Sequence, residues 1–138
     1  MTAGERRLVW TLRLLAVVFG TGALVLLARP EESVQALSDP GLLLGLRGLP
    51  ESPTPVSSDF WFPHAVAHLA TLAVLAWMAS EDAPRRRGLV GAVVVSLLVC
   101  SGTAWLLFVQ WARALPFLAT GVVDLATAVL LLVLLRRS

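Results

Sequence analysis

Few side chains in this sequence could do chemistry, and the sharpest of them sits where water is scarce. Asp124 lies in ATGVVDLATAVLLLVLLRR, residues 119–137, with no other charge before Arg136. His64 and His68 share HAVAH, and four residues apart they fall on one face of a helix. Thr71 lies about a turn beyond His68, Thr120 a turn before Asp124, and Gln110 some way before both. A carboxylate and an imidazole brought together could share a proton near neutral pH. The His64–His68 spacing could also put two imidazoles on one metal, with Asp124 or Asp59 as a third ligand. These are the only two histidines, however, so no metal is expected. A haem held by two histidines needs them on facing helices, and these share one, so no cofactor is expected either. Ser101-Gly102 lacks a base placed to activate it. No carboxylate pair, phosphate-cradling glycine loop or thiol pair is present. The chain therefore does not read as an enzyme. Cys100 is the single cysteine and reads as a small apolar packing residue.

The elements that must position these residues are long apolar runs. Of 138 residues, 57% are hydrophobic and 14% charged, against about 25% charged in ordinary soluble domains. The charges cluster and leave four uncharged or nearly uncharged segments, at about 8–28, 62–80, 88–109 and 115–135. Each approaches the ~20 residues needed to cross ~30 Å of hydrocarbon as a helix. The first is too long for the apolar core of a signal peptide and has no clear small-residue cleavage site. The expected fold is an all-α integral membrane protein, a single domain over 1–138 with four transmembrane helices in a bundle and a 29–61 outer loop.

All eleven basic residues are Arg, and most flank these segments. That is the positive-inside pattern, not a nucleic-acid stripe, despite a pI near 10.0. Arg6, Arg7, Arg85, Arg86, Arg87, Arg136 and Arg137 belong to one side, with Arg13 able to snorkel back to it. Only Arg29, Arg47 and Arg113 belong to the other. Both termini are therefore expected in the cytoplasm. The outer loop carries Glu31, Glu32, Asp39, Glu51 and Asp59. Aromatic anchors agree: Phe60, Trp61 and Phe62 at the outer start of the second span, Trp77 near its inner end, Trp105 and Trp111 at the outer end of the third, Trp10 near the inner start of the first. Within the loop, 41–49 is too short to span and could lie at the interface, and 50–58 reads as a Pro/Ser linker. Ser58 or Asp59 is the expected cap of the second span, with Pro63 in its first turn. Lys, Asn, Ile and Tyr are absent altogether. Their codons are AT-rich, so the absence points to a GC-rich bacterial genome and hence to a bacterial inner membrane.

Lipid is as apolar as Leu, so helices associate through close contact or polar groups. Gly88, Ala92, Ser96, Cys100 and Ala104 recur every four residues along the third span and predict one closely approached neighbour. Ala16 and Gly20 offer the same more weakly in the first. Asp124 lies roughly 14 Å from the start of the fourth span and His68 roughly 8 Å into the second, at ~1.5 Å per residue. An Asp at the centre of a span is disfavoured by about 2.5–3.5 kcal/mol. It should face the interior and meet a partner. If the second and fourth spans are neighbours, His68, Thr71, Thr120 and Asp124 meet in the outer half, with His64 a turn above and Gln110 closing the top. Three roles are open to this cluster: a structural lock between helices, a titrating or ligand-holding pair, or a contact to another protein.

A histidine opening the second span, then Gln110, then Asp124 in the last span resembles the VanZ-like family of small bacterial membrane proteins, some linked to glycopeptide resistance. The similarity covers roughly 60–130. The chain departs from the family's pattern at His64-Ala65, where an acid-Lys pair is expected, at Ala128, where an Asn is expected, and in its last span, which lacks the family's Arg and Gly-rich end. The four-span plan is also similar to that of DoxX-like proteins. Taken together, these features imply a non-enzymatic accessory or assembly protein packing against other membrane subunits or copies of itself. The alternative is a proton-linked carrier or a lipid- or envelope-binding protein using the His-Asp pair.

Overall fold

The computed structural model describes residues 2–46, 55–83, 85–110 and 113–138. Arg47, Glu51, Trp111 and most of the 50–58 linker lie outside the described residues, as do the side chains of Ser58, Asp59, Phe60 and Trp61. The chain forms five helices: α1 (Ala3–Ala28), α2 (Pro30–Leu43), α3 (Pro55–Glu81), α4 (Arg87–Gln110) and α5 (Leu115–Arg137). Four of them, α1, α3 from Phe62, α4 and α5, are long and apolar enough to cross a membrane. The protein is thus a four-span helical membrane protein.

Helix α1 begins at a capping box, in which the Thr2 side chain accepts the Glu5 backbone N–H and the Glu5 carboxylate accepts that of Thr2. Arg13 leans back toward this end, its guanidinium 5.8 Å from the Trp10 ring centroid. Two expectations for the 29–61 segment need correction. Residues 30–43 are helical, not loop. Pro30 stands in the first turn, Ser33 Oγ donates to the Arg29 carbonyl at 2.6 Å, and Arg29 pairs with Glu32 at 2.8 Å. The helix stops at Gly45, whose φ of 73° suits glycine. Leu46 N–H bonds back to the Gly41 carbonyl and Gly45 N–H to that of Leu42, a Schellman ending. The second correction concerns α3. It starts at Pro55, ahead of the expected cap, so the last residues of the linker are helical and Pro63 lies inside the helix.

The spans form a ring. Helix α1 packs most extensively on α3 and α4 on α5; α3 with α4 and α1 with α5 complete the circuit. Helices α3 and α5 stand across the diagonal. Helix α2 rests on α1 and α5, with Gly41 against Leu115. Gly4 meets the backbone of Arg137, so both termini share one end. Ala83, buried with Leu8, Val9 and Leu131, places the α3–α4 turn there too. At this turn Arg86 donates to the Met78 carbonyl and the Glu81 carboxylate, each at 2.7 Å.

Buried core residues follow three- and four-residue steps on each span, as packed bundles require. The lines run 8, 12 and 16 on α1; 72, 76 and 79 on α3; 90, 94, 97, 101 and 104 on α4; and 121, 128 and 131 on α5, where the first step is seven residues. Nearly all of this core lies in the half that carries the termini.

Candidate functional site

Followed toward the other end, the inward lines become polar. On α3 the line 79, 76, 72 continues to His68, and on α5 the line 131, 128 continues to Asp124. Both side chains are half-buried. Between them α4 contributes Cys100, also half-buried, whose Sγ lies 3.1 Å from His68 Nε2. The thiol donates where Nε2 carries no hydrogen, and the ring N–H donates in the other tautomer. The Asp124 carboxyl lies within electrostatic range of both groups. One step further out, buried Ser101 Oγ donates to the Gly121 carbonyl at 2.7 Å and ties α4 to α5. Trp105 covers Gly121 so closely that a Cβ there would stand 2.9 Å from the indole nitrogen. Its ring meets Phe108 edge-on at 6.1 Å.

The structure therefore brings two of the six expected polar residues into one interior cluster. It does so across the diagonal of the bundle, not between adjacent helices. The remaining four lie elsewhere. Thr71 is exposed and donates to the Ala67 carbonyl of its own helix at 2.8 Å. Thr120, His64 and Gln110 are also exposed. Register accounts for Thr71, which stands about 100° around α3 from the line of 68, 72 and 76. His64 and Thr120 share a face with His68 and Asp124 but lie a turn beyond them, away from the packed layer, and are exposed there.

The small-residue stripe on α4 also needs correction as a contact within the chain. Gly88 and Ala92 are exposed, Ser96 and Cys100 are half-buried, and only Ala104 is fully packed. A Cβ added at Gly88 or Gly91 would meet nothing within 4 Å. The packed face is that of Val90, Val94, Leu97 and Ser101, which stands about a quarter-turn around the helix. In span one, Gly20 does meet a neighbour: a Cβ there would stand 3.7 Å from that of Ala73.

Sequence reasoning missed Cys100 as a polar partner and Ser101 as a link between helices. The signal for both was register. They sit beside each other on the α4 surface that the 90, 94 and 97 steps turn inward. Chemically, the thiol and the imidazole can share a hydrogen bond, and an ionised carboxyl near the imidazole favours its protonated form. Among the described residues, no three His, Cys, Asp or Glu side chains come close enough to hold a metal ion.

Comparison with protein-family models, with curated proteins and with solved structures found no match to the chain.

Proposed function

We propose that this chain is a small, non-enzymatic accessory protein of a bacterial inner membrane that packs against other membrane subunits. The observation that carries the reading is the outward small face of α4. Gly88, Gly91 and Ala92 are small residues in a region where neighbouring helices of the same chain make no close approach. In lipid such faces let a further helix come near. The spans are also lightly enclosed: only 17% to 28% of each apolar window is buried within the chain. The arginine distribution supports cytoplasmic termini, since Arg6, Arg7, Arg85, Arg86, Arg87, Arg136 and Arg137 gather at one end. The test is purification from the native membrane in mild detergent, with mass spectrometry of what accompanies the chain. A stoichiometric membrane partner that is lost in Gly88→Leu/Ala92→Leu, with the fold of the variant intact, supports the reading. A clean monomer from native membranes overturns it.

A second reading is favoured by the contact between Cys100 and His68 with Asp124 nearby: a titrating site open toward the side opposite the termini. The VanZ-like resemblance, which rests on His68 and Asp124 among other residues, points the same way. Cys100 is the only thiol, so a small membrane-impermeant maleimide reports directly on access to the cluster. Labelling from the side opposite the termini, with a pH dependence altered by Asp124→Asn in a folded variant, supports a titrating site. Unchanged pH dependence leaves the cluster a structural lock.

A further inference from the structure

The end of the bundle that carries the termini holds a second feature, unconnected to the polar cluster. Between the first turns of α1 and the last turns of α5 runs an open groove of about 720 Å³, lined by Ala3, Arg6, Arg7, Trp10, Thr11, Leu130, Val133, Leu134 and Arg137. Each helix lends one continuous face. Ala3, Arg7 and Trp10 lie on successive turns of α1, and Leu130, Val133 and Arg137 lie on successive turns of α5. The groove is amphiphilic along its length. Three arginines line its mouth, and Leu134, Val133 and Leu130 make an apolar wall that ends about 10 Å, two helical turns, from Arg137. Trp10, 64% exposed, flanks the transition from charge to hydrocarbon, the depth at which tryptophan settles in membranes.

Among the described residues, no carboxylate lies within salt-bridge distance of the guanidinium groups at the mouth. Arg6, Arg7 and Arg137 have no acidic partner among the described residues, whereas Arg29, Arg85 and Arg86 each have one. The acid on α1, Glu5, accepts the Thr2 backbone N–H at 2.6 Å as part of the helix cap. Three like charges held together over a hydrocarbon wall call for an anion that brings its own apolar tail. Basic pockets between transmembrane helices are where anionic headgroups bind, and guanidinium forks match phosphate oxygens in pairs.

We propose that this groove binds one anionic phospholipid, with its phosphate held by Arg6, Arg7 and Arg137 and an acyl chain lying along Leu130, Val133 and Leu134. Bound lipid joins the start of α1 to the end of α5, the less extensive of the contacts that α1 makes with another span. The proposal depends only on the chain being embedded in lipid. It stands or falls separately from the accessory reading and from the polar cluster.

The test is native mass spectrometry of the purified full chain in mild detergent. Phosphatidylglycerol and phosphatidylcholine with identical acyl chains are added in turn. The expected result is retention of one phosphatidylglycerol at least about fivefold more strongly than phosphatidylcholine. Arg6→Gln/Arg7→Gln/Arg137→Gln should abolish the preference. Arg85→Gln/Arg87→Gln/Arg136→Gln removes the same charge from the same end, outside the groove, and should keep it. Soluble glycerol phosphate at the same concentration should not displace the lipid. Equal retention of the two lipids by the unmodified chain overturns the proposal without any variant having to fold. So does an equal loss in the two triple variants, which would mean diffuse charge. Displacement by glycerol phosphate would make this an anion site without a lipid.

Discussion

In the half of the bundle that carries the termini, Leu8, Leu12, Ala76, Ala79, Val90, Val93, Leu97, Ala128 and Leu131 close into a dry layer. In the other half the same inward lines carry His68, Cys100, Ser101, Gly121 and Asp124, and side chains there are more often half-buried than buried. The two halves solve one problem in different ways. Within lipid, burial of apolar surface gives helices little reason to prefer each other, so contact quality or polar bonds must hold them. The half with the termini uses interlocked aliphatic side chains. The other half uses a thiol–imidazole contact and a hydroxyl–carbonyl bond. A carboxylate is tolerable at Asp124 because it sits just above the dry layer, among groups that can interact with it. Two helical turns deeper it would have none.

The largest effect should come from moving that carboxylate. Leu131 is 0% exposed and lies on the same face as Asp124. Leu131→Asp puts a carboxyl into the aliphatic layer. It incurs about 2.5–3.5 kcal/mol of insertion cost, and the packing of Leu131 is lost as well. The expected outcome is loss of the assembled bundle, seen as aggregation in detergent and early unfolding when SDS is titrated in. Asp124→Leu should leave assembly intact by the same measures. Equal stability of the two variants would erase the distinction between the halves.

A middle-sized effect separates packing from mere apolarity. Leu12→Ala or Leu97→Ala opens a void among buried neighbours. Core truncations of this kind cost about 2–5 kcal/mol in soluble proteins. In lipid the lost contacts remain but the transfer term shrinks, so the low end, about 2 kcal/mol, is expected. Val122→Ala, at a site 48% exposed toward lipid, should change stability by less than about 0.5 kcal/mol. Titrated unfolding in mixed micelles measures all three.

The spans were legible because a run of some twenty apolar residues has few other meanings; helices α1 and α3 begin ahead of the expected spans, at Ala3 and Pro55. Helix α2 was not, because PEESVQALSDPGLL mixes Pro40, Gly41 and several polar residues and offers no long apolar stripe. The inward faces were harder still. Helices α3, α4 and α5 are apolar on all sides, so hydrophobic periodicity says almost nothing about which side meets a neighbour. Small residues were the remaining guide on α4, and they marked a face that the bundle leaves outward at Gly88 and Ala92. The polar residues did better. Asp124 was expected inside from the cost of leaving it in lipid, and His68 as its partner; both lie, half-buried, on inward lines. Thr71 and Thr120 were drawn in by spacing alone. A threonine can satisfy its hydroxyl on its own helix, as Thr71 does on Ala67, so it carries no such obligation.

The finest distinctions lie where α4 crosses α5 in the half remote from the termini. Gly121→Ala forces the Trp105 indole to shift by a few tenths of an ångström, and Trp105 is 38% exposed, so it has room to give. A cost of about 1 kcal/mol is expected, the order of a strained rotamer. Ser101→Ala should cost less. It removes the 2.7 Å bond to the Gly121 carbonyl, but that carbonyl lies inside α5 and keeps its own helical partner. No acceptor is orphaned, and the loss should be near the ~0.6 kcal/mol average for hydrogen bonds between membrane helices. Combining the two changes decides whether they act as one contact. Losses that add to within about 0.3 kcal/mol mean that the hydroxyl and the indole hold Gly121 independently. A double variant no worse than Gly121→Ala alone means that the Trp105 shift already breaks the Ser101 bond. The half remote from the termini would then be held at a single shared point, where the half that carries them is held along its length.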